Sequence, residues 1–212
     1  MFSMVLWVVW RRRSPMRADL SIIKDWVQPG TEVLDLGCGD GTLLDYLQTH
    51  KQVRGYGLEI SSENITECLR KGVNVIEQDL DSKGLSNFKD KSFDMVVMTQ
   101  ALQAVRQPDV LLEEMLRLAK ESIITFPNFG YWRLRYYLAR KGQMPVSKTL
   151  PYTWYNTPNI HLCTFKDFEE LCYQKNIHIL HRTVVDDEHR TNWLNQLWPN
   201  LLGQIAIYHV TR

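Results

Sequence analysis

The sequence predicts an α/β fold: a doubly wound, mostly parallel sheet of seven strands with helices on both faces. Three observations predict it. From Met16 onward, short apolar runs alternate with segments of helical periodicity. The first apolar run leads into three alternating glycines, Gly37, Gly39 and Gly41. Acids then close the next two runs, Glu59 and Asp79, as expected where strand ends share one edge around a ligand.

Residues 1–15 stand apart from this pattern. MFSMVLWVVW is apolar and Arg11, Arg12 and Arg13 follow it. Such a run is shorter than the roughly 20 residues that cross a bilayer. A signal peptide carries its positive charges before the apolar run, not after it. The expectation is an N-terminal extension from a mis-called start, with Met16 opening one domain over 16–212.

Ile22, Ile23, Trp26 and Val27 share a helical face, which Pro29 and Gly30 end. The first strand is 32–36. Asp40 or Thr42 caps a helix running to about His50, with Leu43, Leu44 and Leu47 inward. The second strand, 53–58, ends at Glu59. Ser61 or Ser62 opens the next helix, whose apolar residues Ile65, Cys68 and Leu69 precede Gly72. The third strand is 73–78 and the fourth 93–98. The helix 108–119 shows Val110, Leu111, Met115, Leu116 and Leu118 on one side. The fifth strand is 122–126, closed by Pro127 and Asn128. An aromatic helix over 131–139 and an irregular stretch to 159 follow, and together residues 129–164 make an aromatic cover segment. Thr164 caps a helix over 165–174, and 177–185 and 205–210 are the last two strands.

Composition narrows the function. The apolar and charged fractions, 44% and 23%, suit a globular chain of 212 residues. A net charge of +1 provides no polyanion-binding field, so nucleic acid is a poor candidate partner. The four cysteines, Cys38, Cys68, Cys163 and Cys172, show no C-x-x-C pair and no metal spacing, and reduced thiols point to the cytoplasm. His178 and His181 fall in a strand and are expected on opposite faces, which leaves a metal site unsupported.

The candidate site gathers at the strand ends. Thr42 stands where the dinucleotide fingerprint has its third glycine, and Asp35 would repel a pyrophosphate but attract an ammonium or sulfonium group. The run 33–42 resembles the glycine-rich motif of class I S-adenosylmethionine-dependent methyltransferases, in which Gly37, Cys38, Gly39 and Gly41 would bring backbone N–H groups to such a ligand. Glu59, with Ile60 beside it, is placed to accept hydrogen bonds from ribose hydroxyls. Asp79 and the Leu80 backbone are placed to read an adenine, with Asp81 competing for that role. Thr99, Gln100 and Ala101 would line the methionine end, and Asp94 reads as structural. No catalytic group stands out. Methyl transfer does not demand one, since positioning alone supplies much of the rate. The run Thr99-Gln100-Ala101-Leu102 lacks the N-P-P-aromatic sequence of enzymes that methylate base amino groups.

From Met16 on, the chain resembles the family of the methionine biosynthesis protein MetW. The segments that carry the likeness are LDLGCGDGTL (34–43), QALQAV (100–105), FPNFGYWRL (126–134), MPVSKTL (144–150) and WYNTPNIHLCT (154–164). The resemblance implies a Rossmann-like class I methyltransferase fold and S-adenosylmethionine or S-adenosylhomocysteine as ligand. It also implies a role with homoserine O-acyltransferase in making methionine, and no membrane partner. A methyltransferase acting on a small acceptor is the competing reading. Tyr152, Trp154, Tyr155 and His161 would then line an acceptor pocket, and otherwise dock a partner.

A chain beginning at Met16 is expected to express and melt like the full chain. A large drop in melting temperature on truncation would show that Trp7 and Trp10 pack on the domain.

Overall fold

A computed structural model describes residues 17–186 and 193–212 of the chain. The expected extension at 1–15 lies outside the described residues. The elements run α1 (Ala18–Trp26), β1 (Glu32–Leu36), α2 (Thr42–Lys51), β2 (Arg54–Glu59), α3 (Ser62–Lys71), β3 (Asn74–Glu77), α4 (Leu80–Lys83), β4 (Phe93–Thr99) and a single 3-10 turn (Leu102–Ala104). They continue with α5 (Pro108–Leu118), β5 (Ala119–Pro127), α6 (Trp132–Lys141), α7 (Phe165–Gln174), β6 (His178–Val185), α8 (Trp193–Leu197), α9 (Pro199–Leu202) and β7 (Ile205–Thr211). The seven strands form one sheet in the order β3-β2-β1-β4-β5-β7-β6. All pairs are parallel except the two made by β7. The expected doubly wound sheet is the one observed.

Alternation along each strand divides the core in two. Leu34, Leu36, Val96, Met98, Ile124 and Phe126 pack on one face, where α5 and α7 supply Leu112, Met115, Phe165 and Phe168. Val33, Val97, Ile123 and Ile207 pack on the other, against Ile23 of α1 and Leu43, Leu44 and Leu47 of α2. Asp35 is two residues from Val33 and so belongs to the α1–α2 face.

Several local expectations shift. Ser61, not Ser62, caps α3 by accepting from the Asn64 amide. Asp40 accepts from the Thr42 amide at 3.1 Å, but the N-cap position falls on Gly41. Leu69 and Val110 face solvent at 65% and 45% exposure, because the buried stripe of each helix is narrower than its apolar stripe. β3 is an edge strand of four residues. It ends where Gln78 turns back, its amide donating to Glu59 O and its side chain to Gly84 O. The short helices α8 and α9 were not foreseen. Thr164 caps α7 as expected, in a reciprocal pair with Asp167.

The two strand histidines correct the expectation made for them. A register shift between Ile179 and His181 inserts one residue, so His178 pairs with Thr211 and His181 with His209. Thr211 and His209 share a face, and the bulge therefore brings both histidines to it. His181 packs its ring on Trp26 and His209. Among the described residues no cluster of three metal-ligating side chains occurs, and no helix is long and apolar enough to cross a membrane.

Asn128, buried after β5, ties the sheet edge to α9. Its side chain donates to Asn200 O at 3.2 Å and Gly203 O at 2.7 Å, and accepts from Gly130 N at 2.9 Å. Asn128→Ala strands these backbone groups and is expected to cost about 2–4 kcal/mol in urea unfolding. A loss below about 0.5 kcal/mol would mean that water replaces the side chain.

Candidate functional site

β1 exits into the glycine loop at the carboxyl edge of the sheet, beside the exits of β2 and β4. The Gly37 and Cys38 amides both donate to Leu58 O, at 2.9 and 3.1 Å, and fold the loop over the end of β2. Gly37, Gly39 and Gly41 all take positive φ, which side chains other than glycine rarely accept. Cys38 presses so closely on β2 that a Cβ at Gly57 would lie 2.4 Å from its Sγ. The Cys38 and Cys68 Sγ atoms are 3.9 Å apart. Burial raises both thiols above their ordinary pKa, so neither is an activated nucleophile.

Glu59 is buried and holds the loop in place. One carboxylate oxygen accepts from the Ile60 and Ser61 amides at 2.8 and 2.9 Å, and the other accepts from Gly39 N at 2.9 Å. A carboxylate oxygen has two acceptor positions, so only the oxygen bonded to Gly39 has one left for a ligand hydroxyl. The expectation that Glu59 serves a ribose is thus joined by a structural duty that spacing did not reveal.

Asp35 has the opposite situation. It is 1% exposed, and its Oδ1 has no hydrogen-bond partner. Desolvation raises its pKa to about 7, against the lowering effect of the Arg17 guanidinium, while the Glu59 and Asp19 carboxylates push it further up. Arg17 is committed elsewhere: its Nε and Nη2 donate to the two oxygens of Asp19, at 3.1 and 2.8 Å. Asp19 is fully buried and also accepts from Gln100 Nε2 at 2.9 Å and Thr125 Oγ1 at 3.3 Å.

A cavity of about 350 Å³ opens above Asp35. Its walls include Asp35, Gly37, Cys38, Gly39 and Thr99 of the expected site, together with Arg17, Asp40 and Asn64. The remaining expected residues are not among its walls. Gly41 is the left-handed N-cap of α2, and the Ile60 side chain is 61% exposed with its amide on Glu59. Asp79 caps α4 by accepting from Asp81 N, and Leu80 lines a separate cavity of about 390 Å³ with Asp81 and Arg106. Asp81 accepts from the Arg106 amide at 2.8 Å and is occupied there. Asp94 accepts from the Glu32 amide at the other end of the sheet. A third cavity, about 540 Å³, shares Arg17 and Thr99 with the first and is walled by Gln100, Lys148, Thr149, Tyr152 and Asn159. A further cavity, about 740 Å³, lies at the amino ends of the strands, away from the glycine loop.

Arg17 and Asp19 were not singled out from sequence. An acid in the first turn of a helix is commonplace, and only the long-range approach of Thr125 and Gln100 reveals its burial. Of the four loop residues considered, Tyr152 lines the third cavity, Trp154 and Tyr155 project into solvent, and His161 Nε2 lies 3.3 Å from Arg106 O.

Strand order, the glycine loop and the acid after β2 together define a protein of the class I methyltransferase fold. Several solved methyltransferases share the fold with this chain. One is an S-adenosylmethionine-dependent methyltransferase from Mesorhizobium loti, with TM-score 0.67, 17% identity, and coverage of 93% of this chain and 99% of the other. Another, from Archaeoglobus fulgidus, gives TM-score 0.59, 15% identity and coverage of 91% and 94%. The profile of the methionine biosynthesis protein MetW matches residues 17–210, and the chain belongs to that family. A bifunctional MetXA/MetW protein from Rhodopirellula baltica is 35% identical over 182 residues, 82% of this chain. The match spans only 28% of that longer protein.

The Asp35 environment sets a pH dependence. Its native pKa of about 7 lies above the ordinary 3.8, so the stability it contributes is complete below about pH 4 and is lost as pH rises through 7. Asp35→Asn cannot ionise. It is expected to melt above the wild type at pH 8 by the equivalent of roughly 2–4 kcal/mol, a gap that closes toward pH 4. Equal melting curves at pH 8 would mean that Asp35 is already compensated.

Proposed function

We propose that the chain binds S-adenosylmethionine, or its demethylated product, and acts with homoserine O-acyltransferase in methionine biosynthesis. The observation that carries the first half is the buried, partnerless Oδ1 of Asp35 beneath the glycine loop. A carboxylate out of water needs a cation or a proton, and this ligand brings both an ammonium and a sulfonium. The residues fit it: Asp35 would face the positive charge, Gly37, Cys38 and Gly39 would approach it with backbone, and Gly41 would set the turn. Glu59 would accept one ribose hydroxyl beside the Ile60 amide. Asp79 and Leu80, at the exit of β3, would face the adenine, and Thr99 the methionine end.

The family and the fused MetXA/MetW relative support the second half, since fusion of two activities in one chain keeps them adjacent. Residues 16–212 would act as one cytoplasmic domain that reports the level of a product of the pathway. A coupling of about 1–3 kcal/mol between ligand and partner would regulate the acyltransferase roughly 5- to 150-fold.

The third cavity supports a second reading, methyl transfer to a small acceptor. It adjoins the first through Arg17 and Thr99 and has room for such a molecule. When bound, S-adenosylmethionine would supply the methyl group, and these walls would orient the acceptor and exclude water.

Calorimetry with S-adenosylmethionine tests the ligand. Glu59→Gln keeps the side-chain shape but is expected to weaken binding about 10- to 100-fold, through one lost charged hydrogen bond and a loosened Gly39. Unchanged affinity would remove Glu59 from the site. Adding the chain to homoserine O-acyltransferase, with and without the ligand, tests the role. The regulatory reading expects acyltransferase activity to change. Conversion of the ligand to S-adenosylhomocysteine with a cell metabolite, and no effect on the acyltransferase, would favour the methyltransferase.

A further inference from the structure

Residues 129–163 leave the sheet after β5 and return before α7 as a single projecting excursion. Its two ends are pinned together, with Phe129 N donating to Cys163 O at 2.9 Å. It is also fastened to the domain where the Ile160 and His161 amides both donate to Gln103 O, at 2.9 and 3.0 Å. α6 belongs to it and is held by its one buried residue, Leu134, and by Arg135, which donates to Gly130 O and to Asn200 O of α9. The rest of the helix faces water, with Trp132 43% and Tyr136 59% exposed.

Beyond α6 the chain makes a tight turn at 153–156. Asn156 Oδ1 accepts from both the amide and the hydroxyl of Thr153, and the Asn156 amide donates back to Thr153 O. This brace holds Trp154 and Tyr155 in water at 76% and 73% exposure, edge to face with centroids 5.7 Å apart. Three hydrogen bonds fix the turn that carries these two largely exposed rings. Single exposed apolar side chains are ordinary, but rigidly displayed aromatics mark a contact surface.

Charge identifies what the surface accepts. Residues 129–163 contain Arg133, Arg135, Arg140, Lys141 and Lys148 and no Asp or Glu, so the excursion alone carries +5. A second copy meeting it face to face would set cation against cation. A membrane surface fits poorly as well. At about 100° per residue, Trp132 and Tyr136 are followed around α6 by Arg140 and Arg133, then Tyr137, then Lys141, so apolar and basic positions interleave where an interfacial helix separates them. Interleaved Arg, Tyr and Trp is the composition of protein-binding hot spots.

We infer that the excursion 129–163 is a docking element for an acidic protein face, with Trp154 and Tyr155 as anchors and the cations of α6 as the steering charge. The inference rests on the partner reading above, and it assigns the contact with homoserine O-acyltransferase to this element. None of its anchors lines the cavity above Asp35, so docking and ligand binding are separable.

The experiment is titration calorimetry of the full chain against homoserine O-acyltransferase at low and high salt. Two double variants are compared with wild type, W154A/Y155A and R133E/R140E, each first shown to keep the wild-type melting temperature and S-adenosylmethionine affinity. Each is expected to weaken the complex by about tenfold or more, and the charge-reversal effect is expected to shrink at high salt. Wild-type affinity in both variants would overturn the docking element while leaving the partner intact. No wild-type complex at micromolar concentration would defeat the partner reading itself. In that case, wild-type binding to anionic phospholipid vesicles that both variants lose would reassign the surface to a membrane.

Discussion

A carboxylate held out of water at the end of the central strand β1 is the constraint on which this structure depends. Asp35 is buried by the same alternation that buries Val33, because both face α1 and α2. An aliphatic residue there would complete the core. The carboxylate instead has an oxygen without a partner and a pKa raised by desolvation. Such strain persists where the surrounding fold over-determines it, and functional sites are where it collects.

The neighbouring acids show how the fold protects this state. Glu59 could have stood as a second unpaired charge, but three backbone amides, one of them from the glycine loop, hold it. Asp19 is equally buried, yet Arg17, Gln100 and Thr125 satisfy it. Arg17 sits close enough to lower the Asp35 pKa, while its Nε and Nη2 donate to Asp19. Of the buried carboxylates Asp19, Asp35 and Glu59, only Asp35 has a buried oxygen without a partner. That division of labour favours a cation over a phosphate at this glycine loop.

Much of this was legible in the sequence. The alternation predicted the seven-stranded sheet, the glycine spacing placed the loop after β1, and the spacing of Glu59 located the end of β2. What the sequence concealed depends on distant contacts. Asp19 looked like an ordinary acid of a first helical turn until Thr125, 106 residues away, came within 3.3 Å. The bulge in β6 moved His181 onto the face of His178, which strict alternation could not foresee. β3 ended early as the sheet edge, and Asp79 became a helix cap. Spacing found the strand ends, while long-range packing decided which acids were left unpaired.

The central claim is that Asp35 awaits a cation, and the most direct measurement counts protons as S-adenosylmethionine binds. Calorimetry at pH 7 in buffers of different ionisation enthalpy gives that count for the wild type and for Asp35→Asn. With a free pKa of about 7, Asp35 carries roughly half a proton, which a bound cation would expel. The account predicts release of roughly that amount by the wild type in excess of Asp35→Asn. The same proton count in both proteins, with both binding, would contradict it.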